Sequence, residues 1–271
     1  MKKTVVSIQT RGNPGKVDEN LKKAGMIMKG IPFEYDLIIF PELFGTGYTW
    51  NPSTKSVIQK EQETIENWLK EISKMQNCAV ISGLGRKEGD DFFNATISIE
   101  NGEIIHYYDK VLLFRGEKEI FKPGSSFDCV DLSGIRVGVF MCYEIGSPEI
   151  ARIMALKGAQ LFAVPFAFGR TRFRNYDTLT KARAIENGCF LMTSSTPGEH
   201  ENLKFYGHSR IIHPSGTIMG DALDKEGWTA AEIEIKDVDY FRYHEDEQSS
   251  GYWKNMEWAL FHQFGGLWKK E

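Results

Sequence analysis

The chain has 271 residues, 41% of them hydrophobic and 26% charged, with a formal net charge of −4. That balance is ordinary for a soluble globular protein, and the length permits one large core or two small domains. The acidic charge leaves no basic face to neutralise phosphates, so a nucleic-acid partner is not expected. Cys78, Cys129, Cys142 and Cys189 are scattered without a C-x-x-C pair, which excludes a disulfide framework or a thiolate metal site. No metal or other cofactor is expected. The apolar run at the N-terminus is cut by Gln9 and Arg11, too soon for a signal peptide, and no stretch approaches a membrane span. Free thiols without a secretion signal predict a reducing, cytoplasmic setting.

In chain order, Thr4–Ile8 reads as a buried strand, residues 16–29 as a helix closed by Gly30 and Pro32, and Leu37–Phe40 as a second strand. Residues 56–75 place Ile65, Trp68, Leu69 and Ile72 at helical spacing, and Cys78–Leu84 returns to a strand. Phe93–Ile99 and Glu103–Tyr108 flank Asn101-Gly102, a hairpin signal because both residues tolerate positive φ. Arg136–Met141 is a strand, and Ser147-Pro148-Glu149 opens a helix to about Lys157, with Ser147 read as its cap. A strand at Leu161–Val164, a helix over 173–187 and a strand at Phe190–Ser194 follow. His208–His213 and Thr217–Gly220 form a second hairpin, and Thr229–Ile235 a last strand. Alternating strands and helices with inserted hairpins predict a layered α/β sandwich in a single domain. Residues 237–271 carry Tyr240, Phe241, Tyr243, Tyr252, Trp253, Trp258, Phe261, Phe264 and Trp268, and such an arm must cover either its own core or a second subunit.

Three polar residues stand where apolar strands run out. Glu42 follows Leu37-Ile38-Ile39-Phe40-Pro41, Lys110 follows Ile104 to Asp109, and Cys142 follows Val137-Gly138-Val139-Phe140-Met141. Strand ends are where α/β sheets present side chains to a ligand crevice. Taken singly, each has a bland reading: a solvated loop carboxylate, a surface lysine, a small core cysteine.

Their surroundings decide otherwise. Phe40-Pro41-Glu42-Leu43-Phe44-x-x-Gly47-Tyr48, Tyr108-Asp109-Lys110-Val111-Leu112-Leu113-Phe114 and Cys142-Tyr143-Glu144-Ile145-x-x-Pro148-Glu149 together resemble the nitrilase superfamily of carbon–nitrogen hydrolases. The likeness continues through Glu117-x-x-x-Phe121-x-Pro123-Gly124, Ala182-Arg183-Ala184-Ile185-Glu186-Asn187 and Gly207-His208-Ser209-Arg210-Ile211-Ile212-x-Pro214-x-Gly216, in the family's order. The resemblance implies an αββα sandwich, assembled as a homodimer or larger homo-oligomer. It also implies a Glu-Lys-Cys triad at Glu42, Lys110 and Cys142. A further family glutamate matches Glu117, with Glu119 as the alternative. Oxyanion donors would be the Lys110 ammonium and the Tyr143 backbone N–H.

Chemistry needs these groups. A free cysteine is only a few per cent ionised near neutral pH, so Glu42 would take its proton and later pass it to the departing ammonia. Lys110 would stabilise the oxyanion and favour the thiolate, its own charge balanced by Glu42 or Glu117. The expected substrate is a small amide, with Tyr48, Tyr143, Phe166 and Phe168 as pocket lining. Glu149 reads as a helix-end acid, and Arg183 with Glu186 as a scaffold ion pair.

The chain also departs from the family. Gly146 and Ser147 occupy positions where relatives carry arginine and a bulky aromatic, Leu112 replaces a histidine, and Asn175-Tyr176-Asp177 stands where His-Trp is common. A carboxylate-binding arginine therefore cannot be copied from the family, and Arg115, Arg170, Arg172 and Arg174 are the remaining candidates. Nitrile or N-carbamoyl substrates on the same triad are the alternatives within enzymes. A Cys–His hydrolase using His208, and a non-catalytic binding module, are the alternatives outside that scheme.

Overall fold

The structure, a computed structural model, describes residues 1–200, 202–244, 246, 249, 253 and 254. Along the chain lie β1 (Lys2–Gln9), α1 (Val17–Met28), β2 (Leu37–Phe40), α2 (Thr54–Gln76), β3 (Ala79–Glu88), β4 (Asp91–Glu100) and β5 (Glu103–Asp109). Next come β6 (Cys129–Leu132), β7 (Ile135–Val139), α3 (Pro148–Leu156), β8 (Leu161–Phe166), α4 (Phe173–Asn187) and β9 (Phe190–Ser195). Last are β10 (Pro197–His200), β11 (Leu203–Tyr206), β12 (Arg210–Ile212), β13 (Ile218–Asp221), β14 (Gly227–Glu234) and α5 (Lys236–Tyr243).

Among the described residues the strands form two six-stranded sheets, ordered β14-β1-β2-β3-β4-β5 and β13-β12-β9-β8-β7-β6, plus a β10-β11 ribbon. Each sheet has a parallel centre, β1-β2-β3 in one and β7-β8-β9 in the other, with antiparallel strands outside it. Both faces of these centres are covered, so successive strand residues, which point to opposite faces, both meet apolar layers. Val6, Ile8, Ile38, Phe40 and Val80 pack toward α1 and α2 through Leu21, Ala24, Ile65 and Leu69. Their neighbours Val5, Leu37, Ile39, Ala79 and Ile81 meet Val137, Val139, Leu161, Ala163, Phe190 and Met192 of the other sheet. On the far side Phe162, Val164, Phe166 and Leu191 pack on Ile150 and Met154 of α3 and Tyr176 and Ala184 of α4. The layers are helix, sheet, sheet, helix, as the resemblance implies.

The Asn101-Gly102 turn has φ of 53° and 76°, the two left-handed residues such a hairpin requires. Ser147 does not cap α3 as expected. Its Oγ donates to Glu149 Oε2 at 2.6 Å, so Pro148 at the first turn starts the helix without a side-chain cap. The second hairpin is shorter than its apolar pattern suggests, because His208 turns to φ 55° and pairing begins at Arg210. The sequence pattern does not announce β6, the β10-β11 ribbon or α5. Cys129–Leu132 is too short to show alternation, and the ribbon contains Pro197 and Gly198, which punctuate rather than extend a pattern. Of the aromatic arm, Tyr240, Phe241 and Tyr243 lie on α5. Trp253 is buried in the chain's own core, with the Arg242 and Arg152 guanidiniums 4.5 and 5.1 Å from its ring. Tyr252, Trp258, Phe261, Phe264 and Trp268 lie outside the described residues.

Candidate active site

Three chain segments deliver the predicted triad to one place. Glu42 leaves the end of β2 immediately after Pro41, Lys110 follows β5, and Cys142 opens a short 3-10 turn after β7. The backbone around each is tightly constrained. A Cβ on Gly83 would stand 2.5 Å from Glu42 Cα, so only glycine lets β3 run this close beneath the carboxylate's own chain. The Lys110 N–H donates to the Asn94 carbonyl and the Lys110 carbonyl accepts from the Gly124 N–H, both at 2.9 Å. Gly124 is needed for that contact, because a Cβ there would meet the Asp109 carbonyl at 2.1 Å. Cys142 adopts φ 44°, a left-handed value that costs a non-glycine residue about 1–3 kcal/mol and marks sites where a side chain is held for use.

The side chains converge in a dry setting. Lys110 Nζ donates to Glu42 Oε1 at 2.6 Å and to Glu117 at 2.9 Å, and Glu42, Lys110 and Glu117 are essentially without solvent exposure. Both carboxylates therefore balance the ammonium. Asn94 Nδ2 donates to Glu42 Oε1 at 2.8 Å, and the Ala167 N–H donates to Glu42 Oε2 at 2.9 Å, which fixes the carboxylate at both oxygens. Glu117 accepts from the Tyr48 hydroxyl at 2.6 Å and from the Phe114 N–H at 2.9 Å. Glu119, two residues on, is exposed.

Burial and charge set the protonation states. Burial raises the Glu42 pKa above the ordinary carboxylate range and Glu117 adds to that, while Lys110 and the Asn94 amide pull it back. For Lys110 burial works against the charge, but Glu42 and Glu117 override it and hold the ammonium protonated well beyond the usual lysine range. The Cys142 thiol is pushed far above its ordinary value, first by burial and then by Glu42, with Lys110 and the Ala167 N–H opposing. Lys110 favours the thiolate, as expected, but it is outweighed. Two carboxylates and desolvation outweigh one ammonium, so the sulfur rests as a thiol and must lose its proton when it acts.

The other candidates fall into separate roles. Tyr48 is buried and its hydroxyl is committed to Glu117, so it acts through a polar bond more than through an apolar face. Tyr143 is 42% exposed, its ring 5.1 Å from that of Phe114, at the rim beside the nucleophile. Phe166 is fully buried against Phe168 and Tyr176, within the cluster that includes Cys142. His208 is bound by Asp221 at 3.0 Å and stacked on Tyr206, and His213 is bound by Asp237. Arg183 and Glu186 form the expected ion pair at 2.8 Å, and Arg183 Nε also donates to the Ile145 carbonyl, tying α4 to the nucleophile's turn.

A model of the family described as carbon-nitrogen hydrolase matches residues 4–243. The chain belongs to that family. Among relatives, a 2-oxoglutaramate amidase of Bacillus subtilis is 30% identical over 241 residues, covering 88% of this chain and 93% of its own length. A nitrilase of Pyrococcus abyssi is 30% identical over 230 residues, covering 83% and 85%. The crystal structure of Saccharomyces cerevisiae Nit3, a member of branch 10 of the nitrilase superfamily, superposes with a TM-score of 0.81 at 26% identity, covering 92% and 96%.

Two parts of this carbon–nitrogen hydrolase site were not singled out from sequence. Asn94 lies inside a strand between Phe93 and Ala95, and a buried amide there demands a partner, which is the available signal. Glu144 stands in the nucleophile's block, where the sequence gives it no role. Its buried carboxylate accepts from the Met141 N–H at 2.7 Å, the Val111 N–H at 2.8 Å, the Leu112 N–H at 3.0 Å and the Tyr108 hydroxyl at 2.7 Å. One side chain thus bonds the segment carrying Cys142 to the segment carrying Lys110. No local pattern announces such a bridge, because its partners on the Lys110 side lie more than thirty residues away in sequence.

Proposed function

We propose that the protein hydrolyses the carbon–nitrogen bond of a small amide through a Cys142 thioester, releasing ammonia and a carboxylic acid. The observation that carries this reading is the wedging of one buried ammonium between two buried carboxylates, beside a buried thiol at a strained turn. In the acylation step Glu42 takes the Cys142 proton as the sulfur attacks the amide carbon and a C–S bond forms. The oxyanion is met by the Lys110 ammonium and the Tyr143 N–H. Collapse breaks the C–N bond, and Glu42 hands its proton to the nitrogen, which leaves as ammonia. Water then gives a proton to Glu42 and attacks the thioester; the C–S bond breaks, and Glu42 returns that proton to the departing sulfur, restoring the thiol. Glu117 keeps Lys110 protonated and aimed, with Tyr48 holding Glu117 in turn.

A thiol as strongly protonated as Cys142 needs this coupling, since little thiolate is present to act alone. The raised pKa of Glu42 suits it to accept a proton near neutral pH. Relatives named as an amidase and as a nitrilase share the family, so the test uses both substrate types. Ammonia release is measured from a panel of short amides and the matching nitriles, with wild-type protein and Cys142→Ala. Turnover of amides that disappears in the variant supports the proposal. Turnover of nitriles alone, or ammonia release surviving in Cys142→Ala, overturns it.

A further inference from the structure

The two oxygens of Glu42 are bonded unequally. Oε1 accepts from Lys110 Nζ at 2.6 Å and from Asn94 Nδ2 at 2.8 Å, while among the described residues Oε2 accepts only from the Ala167 N–H, at 2.9 Å. A carboxylate oxygen has about two lone-pair positions, so Oε1 is filled and Oε2 keeps one open. The Ala167 N–H also reaches the Cys142 sulfur, where it favours the thiolate. One donor therefore touches both base and nucleophile, and the oxygen on that donor is the one with room for a proton.

That donor is held on both sides. Ala167 follows the end of β8, and its N–H belongs to the same peptide unit as the Phe166 carbonyl, which accepts from the Thr196 N–H at 3.0 Å. The Phe168 carbonyl accepts from the Tyr206 N–H at 2.9 Å. A hydrogen bond at the carbonyl polarises the shared peptide and strengthens its N–H as a donor. Asn94 holds the other end of the carboxylate. It is fully buried in β4, its backbone carbonyl accepts from the Lys110 N–H at 2.9 Å, and its Oδ1 meets no donor among the described residues. A buried amide with that oxygen unused is a worse core residue than a leucine of similar shape, so packing does not account for it.

We infer that Glu42 exchanges protons with Cys142 through Oε2, under the Ala167 N–H, and that Asn94 is the positioning residue that keeps Oε1 on Lys110 and Oε2 toward the sulfur. This deepens the amide-hydrolase reading and rests on it. As the S–H bond breaks, the proton bonds to Oε2 and the electron pair left on sulfur forms the C–S bond. The Ala167 N–H, in reach of both atoms, follows the negative charge from oxygen to sulfur without any group having to move.

The test follows alkylation of Cys142 by iodoacetamide across pH, read from the mass of its peptide, beside ammonia release from short amides. Asn94→Leu removes the donor and keeps the bulk. The plateau alkylation rate and kcat should each fall at least ~10-fold, with KM within about twofold of the wild type because the change acts on the base. The acid limb of both profiles should move to higher pH, since the lost donor had favoured the ionised carboxylate. An ester in place of the 166–167 peptide bond, built with lactic acid at position 167, deletes the Ala167 N–H alone. It should act in the same direction, and it decides the matter if Asn94→Leu does not fold. Rates lost in Asn94→Leu with the acid limb unmoved would give Asn94 a merely structural role and overturn the inference. Wild-type alkylation and an unmoved limb in the ester protein would overturn it too; in both cases amide cleavage by the wild type would leave hydrolysis standing. Slowed, pH-shifted alkylation in the variants, with no amide cleaved by the wild type, would keep the proton handover and remove the amide reading.

Discussion

Glu144→Gln tests the bridge between the nucleophile's segment and the lysine's segment. The carboxylate accepts four hydrogen bonds: Tyr108, Val111 and Leu112 at Oε1, and Met141 at Oε2. Glutamine has nearly the same shape but only one acceptor atom. If its oxygen keeps the first group, its NH₂ confronts the Met141 N–H, and two buried donors are left without acceptors. Losing a charge-assisted bond and leaving those donors bare should cost ~3 kcal/mol. For a chain of this size that lowers Tm by about 6–12 °C. Met141 precedes Cys142 directly, so the sulfur should also drift relative to Lys110, and misplacement of about 1 Å costs up to ~10²-fold in rate. Calorimetry and ammonia-release kinetics on purified Glu144→Gln measure both effects. A variant with unchanged Tm and wild-type kcat would refute the bridge as a positioning device.

Other changes probe the site from different sides. Lys110→Met removes an oxyanion partner and leaves Glu42 and Glu117 adjacent without their shared cation; kcat should fall ~10²–10³-fold and stability by about 3–5 kcal/mol, read by kinetics and urea unfolding. Glu42 must be ionised to accept the thiol proton, and its pKa is raised, so kcat/KM should decline on acidification at a pH above the ordinary glutamate value of about 4.3. Because Glu117 contributes to that rise, Glu117→Gln should move the acid limb of the pH–rate profile to lower pH; a shift to higher pH would contradict the assignment. Burial also raises the Glu144 pKa. The folded chain then binds more protons than the unfolded one above the unfolded carboxylate's pKa, so this contribution to stability is full below it and falls as pH rises through the folded value. That slope should be smaller in Glu144→Gln when unfolding free energy is measured across the acid range. Gly83→Ala places a methyl 2.5 Å from Glu42 Cα, against backbone that cannot yield, and should lose ~1–3 kcal/mol of stability together with most activity.

Much of the architecture could be read directly because its strands are buried on both faces. Leu37–Phe40 and the helix over 173–187 were read with the bounds they have, one as an unbroken apolar run, the other ended by Asn187-Gly188. The site was legible only in part. Glu42, Lys110 and Cys142 stand at strand ends and sit in family blocks, which marks them without showing that they meet. The balancing of Lys110 by Glu42 and Glu117 is legible, but the resting thiol is not, because it depends on the depth of burial and on a second carboxylate. Asn94, Glu144 and the Ala167 N–H act by long-range contacts that no spacing encodes.

The reaction scheme stands or falls on a covalent bond between substrate and Cys142. Acid-quenching the enzyme within milliseconds of adding an amide it turns over, then digesting it, allows the peptide containing Cys142 to be weighed by mass spectrometry. The expected result is a fraction of that peptide heavier by the acyl group, lost on hydroxylamine treatment and absent from Cys142→Ala. Rapid ammonia release with an unmodified Cys142 peptide, accompanied by activity in the alanine variant, would contradict it.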